Sequence, residues 1–261
     1  MNIQSFCELM NRIAPPERAM EGDRIGLLIG PEKTEIRRVL AALDLTVDVA
    51  EEAIRGNFDM VLTHHPIFWD PITEIRPDRF ETAAAYRLIR HGIGMFAAHT
   101  NLDAAPGGVN DVLANMLHLE QVCPLPPENL GRIGILREPM RFYDFITLCE
   151  KSFDTRSRIV GNPDDVIRTV AVIGGAGGGD VAFVKDAGCD AFVTGEMKHH
   201  QALEAAFYRL HCCVLGHYET ENIVLKPLIN RLQNENSDVQ YFLAQSGKAP
   251  LPYPQGGNRN E

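Results

Sequence analysis

The sequence predicts an α/β fold: two similar α/β domains, the products of an internal duplication, facing each other across a cleft. Three observations predict it. Short apolar runs alternate with stretches of helical period, as they do in proteins with much parallel sheet. The second half repeats the order of the first. Histidines and carboxylates stand directly after several of the apolar runs, where the carboxyl ends of buried strands fall.

Taken in order, residues 38–44 (RVLAALD) read as a strand, and Thr46 then caps a helix running to Arg55, with Gly56 just past its end. Residues 59–63 (DMVLT) form a second strand that runs straight into His64, His65 and Pro66. A helix over residues 78–91 is closed by Gly92, and the strand at 93–98 leads into His99 and, four residues on, Asp103. In the second half, residues 169–174 (TVAVIG) are a strand, and a helix from Asp180 to Ala187 ends at Gly188. The strand at 190–194 (DAFVT) runs into Gly195 and Glu196, and a helix follows over 198–207. The strand at 212–216 then ends at His217, four residues before Glu221. Residues 120–163 fit neither half and are expected to hold a connection and an extra helix at 141–152.

The repeat is visible in paired segments. GNFDMVLTHH matches AGCDAFVTGE, and AAYRLIRHGIGMFAAHTNLD matches EAAFYRLHCCVLGHYETE in the same order. This sets Thr63 opposite Thr194, His65 opposite Glu196, His99 opposite His217 and Asp103 opposite Glu221. The expected domains are residues 1–125, carrying His64, His65 and Asp103, and residues 126–261, carrying His217 and Glu221. The C-terminal tail can pack back on the first domain.

Composition excludes several classes of function. The chain has 261 residues, 45 % of them hydrophobic and 23 % charged, which is ordinary for a globular protein. Its net charge of −10 argues against a nucleic-acid partner bound through a broad basic surface. No apolar run reaches membrane-spanning length. The N-terminus lacks the basic start and small-residue cleavage site of a signal peptide, so a cytoplasmic location is expected. The six cysteines show no CxxC spacing and read as reduced thiols. Residues 247–261 are rich in Pro and Gly and are expected to be loose.

Successive residues of a strand point to opposite sides, so His64 and His65 serve one site only if the chain bends there. Pro66 favours that interruption. Alone, the pair also fits a turn with two solvated histidines. His99-x-x-x-Asp103 and His217-x-x-x-Glu221 place an imidazole and a carboxylate at i and i+4, on one helix face. Either alone also fits a capping or ion-pair motif. Three such groups at strand ends on one side of the sheets point instead to a metal-binding cleft, with His64, His65, Asp103, His217 and Glu221 as ligands. Imidazole and carboxylate suit zinc, iron, manganese or nickel, and two divalent metal ions held by few ligands leave positions for water. The loop from Gly174 to Gly179 lacks the spacing of a phosphate loop and is read as a tight turn. Glu196 and His99 are the candidate catalytic residues for proton transfer. His199 and His200, at a helix start, read as polar-face residues.

Four segments, DMVLTHHPIFW, AAHTNLDAAPGGVND, VTGEMKHH and GHYETE, resemble the GTP cyclohydrolase 1 type 2 family, also called NIF-three-like proteins, in its compact bacterial form. The resemblance implies a two-domain α/β fold, a dinuclear metal centre between the domains and a ring-shaped homohexamer. It also implies that His65 and Asp103 hold one ion, that His64 and His217 hold the other, and that Glu221 bridges them. His99 and Glu196 match family positions near the metals. In residues 23–27 (DRIGL), Arg24 replaces the family's usual Asn, a change at the mouth of the cleft. The implied activity is a metal-dependent hydrolase acting on a nucleotide or related heterocycle. The alternatives are a non-catalytic metal-binding or regulatory scaffold and a phosphodiesterase.

Overall fold

The computed structural model describes residues 1–252 and shows two sheets clothed by helices. The first part of the chain forms α1 (Ile3–Ile13), β1 (Gly26–Ile29), β2 (Arg38–Ala42), α2 (Val47–Arg55), β3 (Met60–Thr63), α3 (Phe80–Arg90), β4 (Gly94–Ala97), α4 (Thr100–Ala104) and α5 (Val109–Met116). Then come β5 (Glu120–Pro124), β6 (Arg132–Arg141), α6 (Phe142–Phe153), β7 (Arg158–Val160), β8 (Val166–Ile173), α7 (Val181–Asp186), β9 (Ala191–Thr194) and α8 (His199–Phe207). The chain closes with β10 (His211–Val214), α9 (His217–Glu221), α10 (Leu225–Glu235) and β11 (Gln240–Leu243).

Strand order is β1-β4-β3-β2-β11 in one sheet and β5-β6-β8-β9-β10-β7 in the other. Each holds a parallel trio, β2-β3-β4 or β8-β9-β10, with an antiparallel strand beside its last member: β1 on β4, β7 on β10. The run α1-β1-β2-α2-β3-α3-β4-α4-α5 thus has the same order as α6-β7-β8-α7-β9-α8-β10-α9-α10. Within each trio the carboxyl ends are level, since Ala42, Thr63 and Ala97 pair in sequence, as do Ile173, Thr194 and Val214. That registration brings the strand-end histidines to one edge of each sheet.

Both sheets are covered on both faces, which suits parallel strands with unbroken apolar runs. Alternation along each strand decides the partner. Met60, Leu62 and Phe96 of the first sheet and Val170, Val172 and Val193 of the second share one continuous core with Phe6, Phe142 and Phe145. Leu40, Val61 and Met95 point the other way, under Ala50 and Ala53 of α2 and Leu88 of α3. Ala171, Phe192 and Cys212 do the same beneath Val184 of α7 and Ala205 of α8. Thr46 caps α2 as expected, its hydroxyl accepting from Val49 N at 3.2 Å.

One feature departs from expectation: residues 120–163 contain three strands, β5 to β7, as well as the expected helix. β5 lies in the second sheet, and β11 crosses back to pair in parallel with β2 of the first. The backbone beyond β11 is held to α2 by Glu52, which accepts from Gln245 N and Ser246 N. Of the tail expected to be loose, residues 253–261 lie outside the described residues. Among the described residues no helix is long and apolar enough to cross a membrane. All six cysteines are free thiols.

Candidate metal centre

The level strand ends deliver the side chains. His64 and His65 follow β3, their backbone N–H groups still donating to Ala42 and Leu43, before Pro66 ends the ladder. Both rings turn to the same region, with centroids 5.0 Å apart. His99 follows β4 and Asp103 lies in α4. From the second sheet, Gly216 at φ +108° makes the turn after β10 that starts α9 at His217. The expected i,i+4 pair forms there, with His217 Nε2 2.9 Å from Glu221 Oε2.

Two trios share Glu221. Its Oε2 is 2.9 Å from both His65 Nε2 and His217 Nε2, and those two nitrogens are 3.2 Å apart. Its Oε1 is 3.7 Å from His64 Nε2, which is 3.5 Å from Asp103 Oδ1. Each trio can hold a metal ion. The grouping differs from the one implied by resemblance: His64 goes with Asp103, and His65 with His217. His99 joins His64 and His65 in a third possible trio, not Asp103, its partner in the sequence motif. The strand ends bring His65 and His217 into contact across the cleft.

The donor set fits a metal on three counts. Buried His64 Nε2 and Asp103 Oδ1 have no hydrogen-bond partner, a costly state for polar atoms unless an ion completes them. Separations of 2.9–3.7 Å within the trios match the edges of a polyhedron with bonds of about 2.0–2.1 Å, roughly 3.3 Å for a tetrahedron. The remaining ring nitrogens are all anchored, which fixes tautomer and aim. His64 Nδ1 is 2.9 Å from the Ala98 carbonyl, His65 Nδ1 2.7 Å from Asp44, His217 Nδ1 3.1 Å from Glu196 and His99 Nδ1 2.9 Å from Asp23.

Charge follows the same geometry. Burial disfavours a charged His65, but the hydrogen bonds it donates to Asp44 and Glu221 outweigh it and push its pKa up to about 10. Burial likewise opposes charge on His64, and the carboxylates of Asp103 and Glu221 overcome it and raise its pKa. Contact with Glu221 raises His217. Burial lifts Asp103 to about 6. Glu221 is also buried, yet the three surrounding imidazoles hold it well below the usual carboxylate range. Without metal, the cluster keeps protons where a dication would sit.

The Gly174–Gly179 loop is a tight turn, and the turn has a purpose. At Gly175, φ is +61° and a Cβ would collide with Glu221 Oε1; at Gly178 it would meet the Glu196 carbonyl at 2.6 Å. These glycines let the backbone close over the shared carboxylate. Arg24 is exposed and only Asp23 of that motif reaches the site, where it also accepts from Thr100 N at 3.1 Å. Asp44 was not anticipated. Its signal was available: it follows β2 at the same sheet edge as His64. Glu196 meets His217 as an orienting group. Asp44→Asn and Glu196→Gln should each weaken zinc binding at the His65–His217 trio by about 10–100-fold, read by calorimetry, with the fold unchanged.

Two α/β sheets whose strand ends bring His, Asp and Glu side chains into groups able to hold a metal ion define the class of protein to which this fold belongs. The chain belongs to the Duf34/NIF3 (NGG1p interacting factor 3) family, whose model matches residues 1–250. A Streptomyces coelicolor protein called a GTP cyclohydrolase 1 type 2 homolog is 33 % identical over 224 residues, covering 81 % of this chain and 79 % of its own. One of the same name from Clostridium perfringens is 27 % identical, covering 97 % and 100 %. Among solved structures, a Bacillus cereus protein related to NIF3 superposes with a TM-score of 0.88 at 25 % identity, covering 97 % of this chain and 99 % of that one. Reduced HcgD from Methanocaldococcus jannaschii gives 0.83 at 29 %, covering 94 % and 98 %.

Proposed function

We propose that the chain is a cytoplasmic, dinuclear metal-dependent hydrolase acting on a nucleotide or related heterocycle. The observation that carries this reading is Glu221, shared between two trios, one of which leaves buried His64 Nε2 and Asp103 Oδ1 without a hydrogen-bond partner. His64 and Asp103 would hold one ion, His65 and His217 the other. Bound there, two ions supply Lewis acidity and an activated water near neutral pH.

The chain's own residues do the rest. A cleft of about 440 Å³ opens beside the trios, and Trp69 and Phe183 are among its lining residues. Its apolar walls exclude water from the reacting group. His99, anchored through Nδ1 by Asp23, presents its other ring nitrogen for proton transfer on the cleft wall. Glu196 keeps His217 aimed and is the second proton-handling candidate.

Zinc- or iron-loaded protein incubated with GTP is expected to release formate and a ring-opened product. Absence of both removes GTP as substrate, and undiminished turnover by Glu221→Ala removes the metal mechanism. One observation favours a second reading, a metal-binding protein without turnover. No lysine or arginine lines the cleft among the described residues, so a triphosphate finds no side-chain cation there. That reading predicts stoichiometric ligand capture and no product. The homohexamer belongs to the same proposal. Exposed Phe80, Leu203 and Phe207 offer apolar surface for subunit contacts, and light scattering should give the mass of six 29.0 kDa chains.

A further inference from the structure

The cleft contains two acids that the metal centre does not use. Asp180 precedes α7, and Glu128 comes from the loop between β5 and β6; both line the cleft. Asp180 is half-buried and its side chain has no hydrogen bond or ion pair among the described residues. Burial and the nearby Glu128 charge both push its carboxyl above the ordinary value, so no cation satisfies it. Around it the walls are apolar, from Leu125, Pro127, Leu130, Ile173 and Phe183. A carboxylate left unpaired among apolar walls gains most from a ligand with two adjacent N–H donors, which it accepts as a bidentate pair. Apolar walls with a few placed polar groups suit a flat ring.

We propose that Asp180, with Glu128 beside it, is the specificity-determining carboxylate of the cleft and reads the paired N–H donors on the edge of a 2-amino-oxo heterocycle. The inference rests on the reading above that this cleft takes a heterocycle, and it adds which edge is read and by which side chain. Asp180 makes no contact with the metal trios, so its part is ligand choice, not metal retention.

Trp69 is the chain's single tryptophan and lines the same cleft, so its fluorescence reports ring binding directly. The zinc-loaded full chain is titrated with guanosine and with inosine, which lacks the 2-amino group. Guanosine should quench Trp69 with an affinity about tenfold or more above inosine. Asp180→Asn, which turns an acceptor edge into a mixed one, should bring guanosine down to the inosine level while zinc uptake stays unchanged by calorimetry. Glu128→Gln should reduce the guanosine preference by a smaller factor, and it decides the matter if Asp180→Asn fails to take up zinc. Equal affinity for the two nucleosides, or an undiminished preference in the deciding variant, overturns the proposal while the metal reading stands. Failure of the metal reading shows separately, as no zinc uptake by the unaltered chain.

Discussion

Replacing Glu221 with alanine should strip both metals at once, a larger effect than any other single change at the site. One oxygen of this carboxylate faces His65 and His217 at 2.9 Å, and the other faces His64 at 3.7 Å. Losing a residue that only orients a ligand costs about 10–100-fold in metal affinity, and losing a shared ligand should exceed that at both positions. Glu221→Gln should behave similarly, because an amide nitrogen cannot take the place of the second carboxylate oxygen. Asp103→Ala should weaken only the trio it belongs to. Metal content after equilibrium dialysis against buffered zinc distinguishes the cases: two ions per chain for the unaltered protein, about one for Asp103→Ala and about none for Glu221→Ala.

The second large effect is on stability. Zinc at a thousandfold excess over its dissociation constant stabilises the folded state by about 4 kcal/mol, which for a chain of this size raises Tm by about 8–16 °C. The metal-free protein should also show a pH dependence that the loaded one lacks. His65 has a folded pKa of about 10 against 6.5 in the unfolded chain, so its contribution is complete below pH 6.5 and lost as pH rises through 10. His64 and His217 are raised too and act with the same sign. Asp103, at about 6 against 3.8, makes the fold lose stability as pH rises through that interval. Glu221 and Asp23 are lowered, so their contributions are present above the ordinary carboxylate range and disappear as pH falls. Metal-free Tm should therefore peak in the mildly acid range, just above the ordinary carboxylate pKa, and fall toward pH 10. In the loaded protein the ions replace those protons, so the alkaline decline should vanish. Thermal melts with and without a chelator, from about pH 4 to 10, measure both curves.

The parts of this fold that the sequence revealed are those whose residues are decided locally. The two parallel trios are short apolar runs that are largely buried, MVLT, GMFA, AFVT and HCCV among them. Buried parallel strands leave that mark because both faces are covered. Edge strands do not. All five residues of β5 are exposed, and β11 is the four-residue QYFL, which pairs with β2 from just over two hundred residues away. A strand made by its partner carries little propensity of its own.

The site shows the same contrast. That His64, His65, Asp103, His217 and Glu221 come together was legible because strand ends on one side of a sheet are where open α/β folds bind ligands. How they group was not, since that depends on how the two sheets approach, and His65 meets His217 across 152 positions of sequence. Asp23 reaches His99 from 76 residues earlier, and Asp180 acquires its meaning only from the cleft it lines.

The account stands most directly on an anomalous difference map from crystals of the zinc-loaded chain, recorded at the zinc edge. Two peaks are predicted per chain, one contacted by His65, His217 and Glu221, the other by His64, Asp103 and Glu221. A single peak, or peaks that leave Glu221 uncoordinated, would contradict the shared-carboxylate centre.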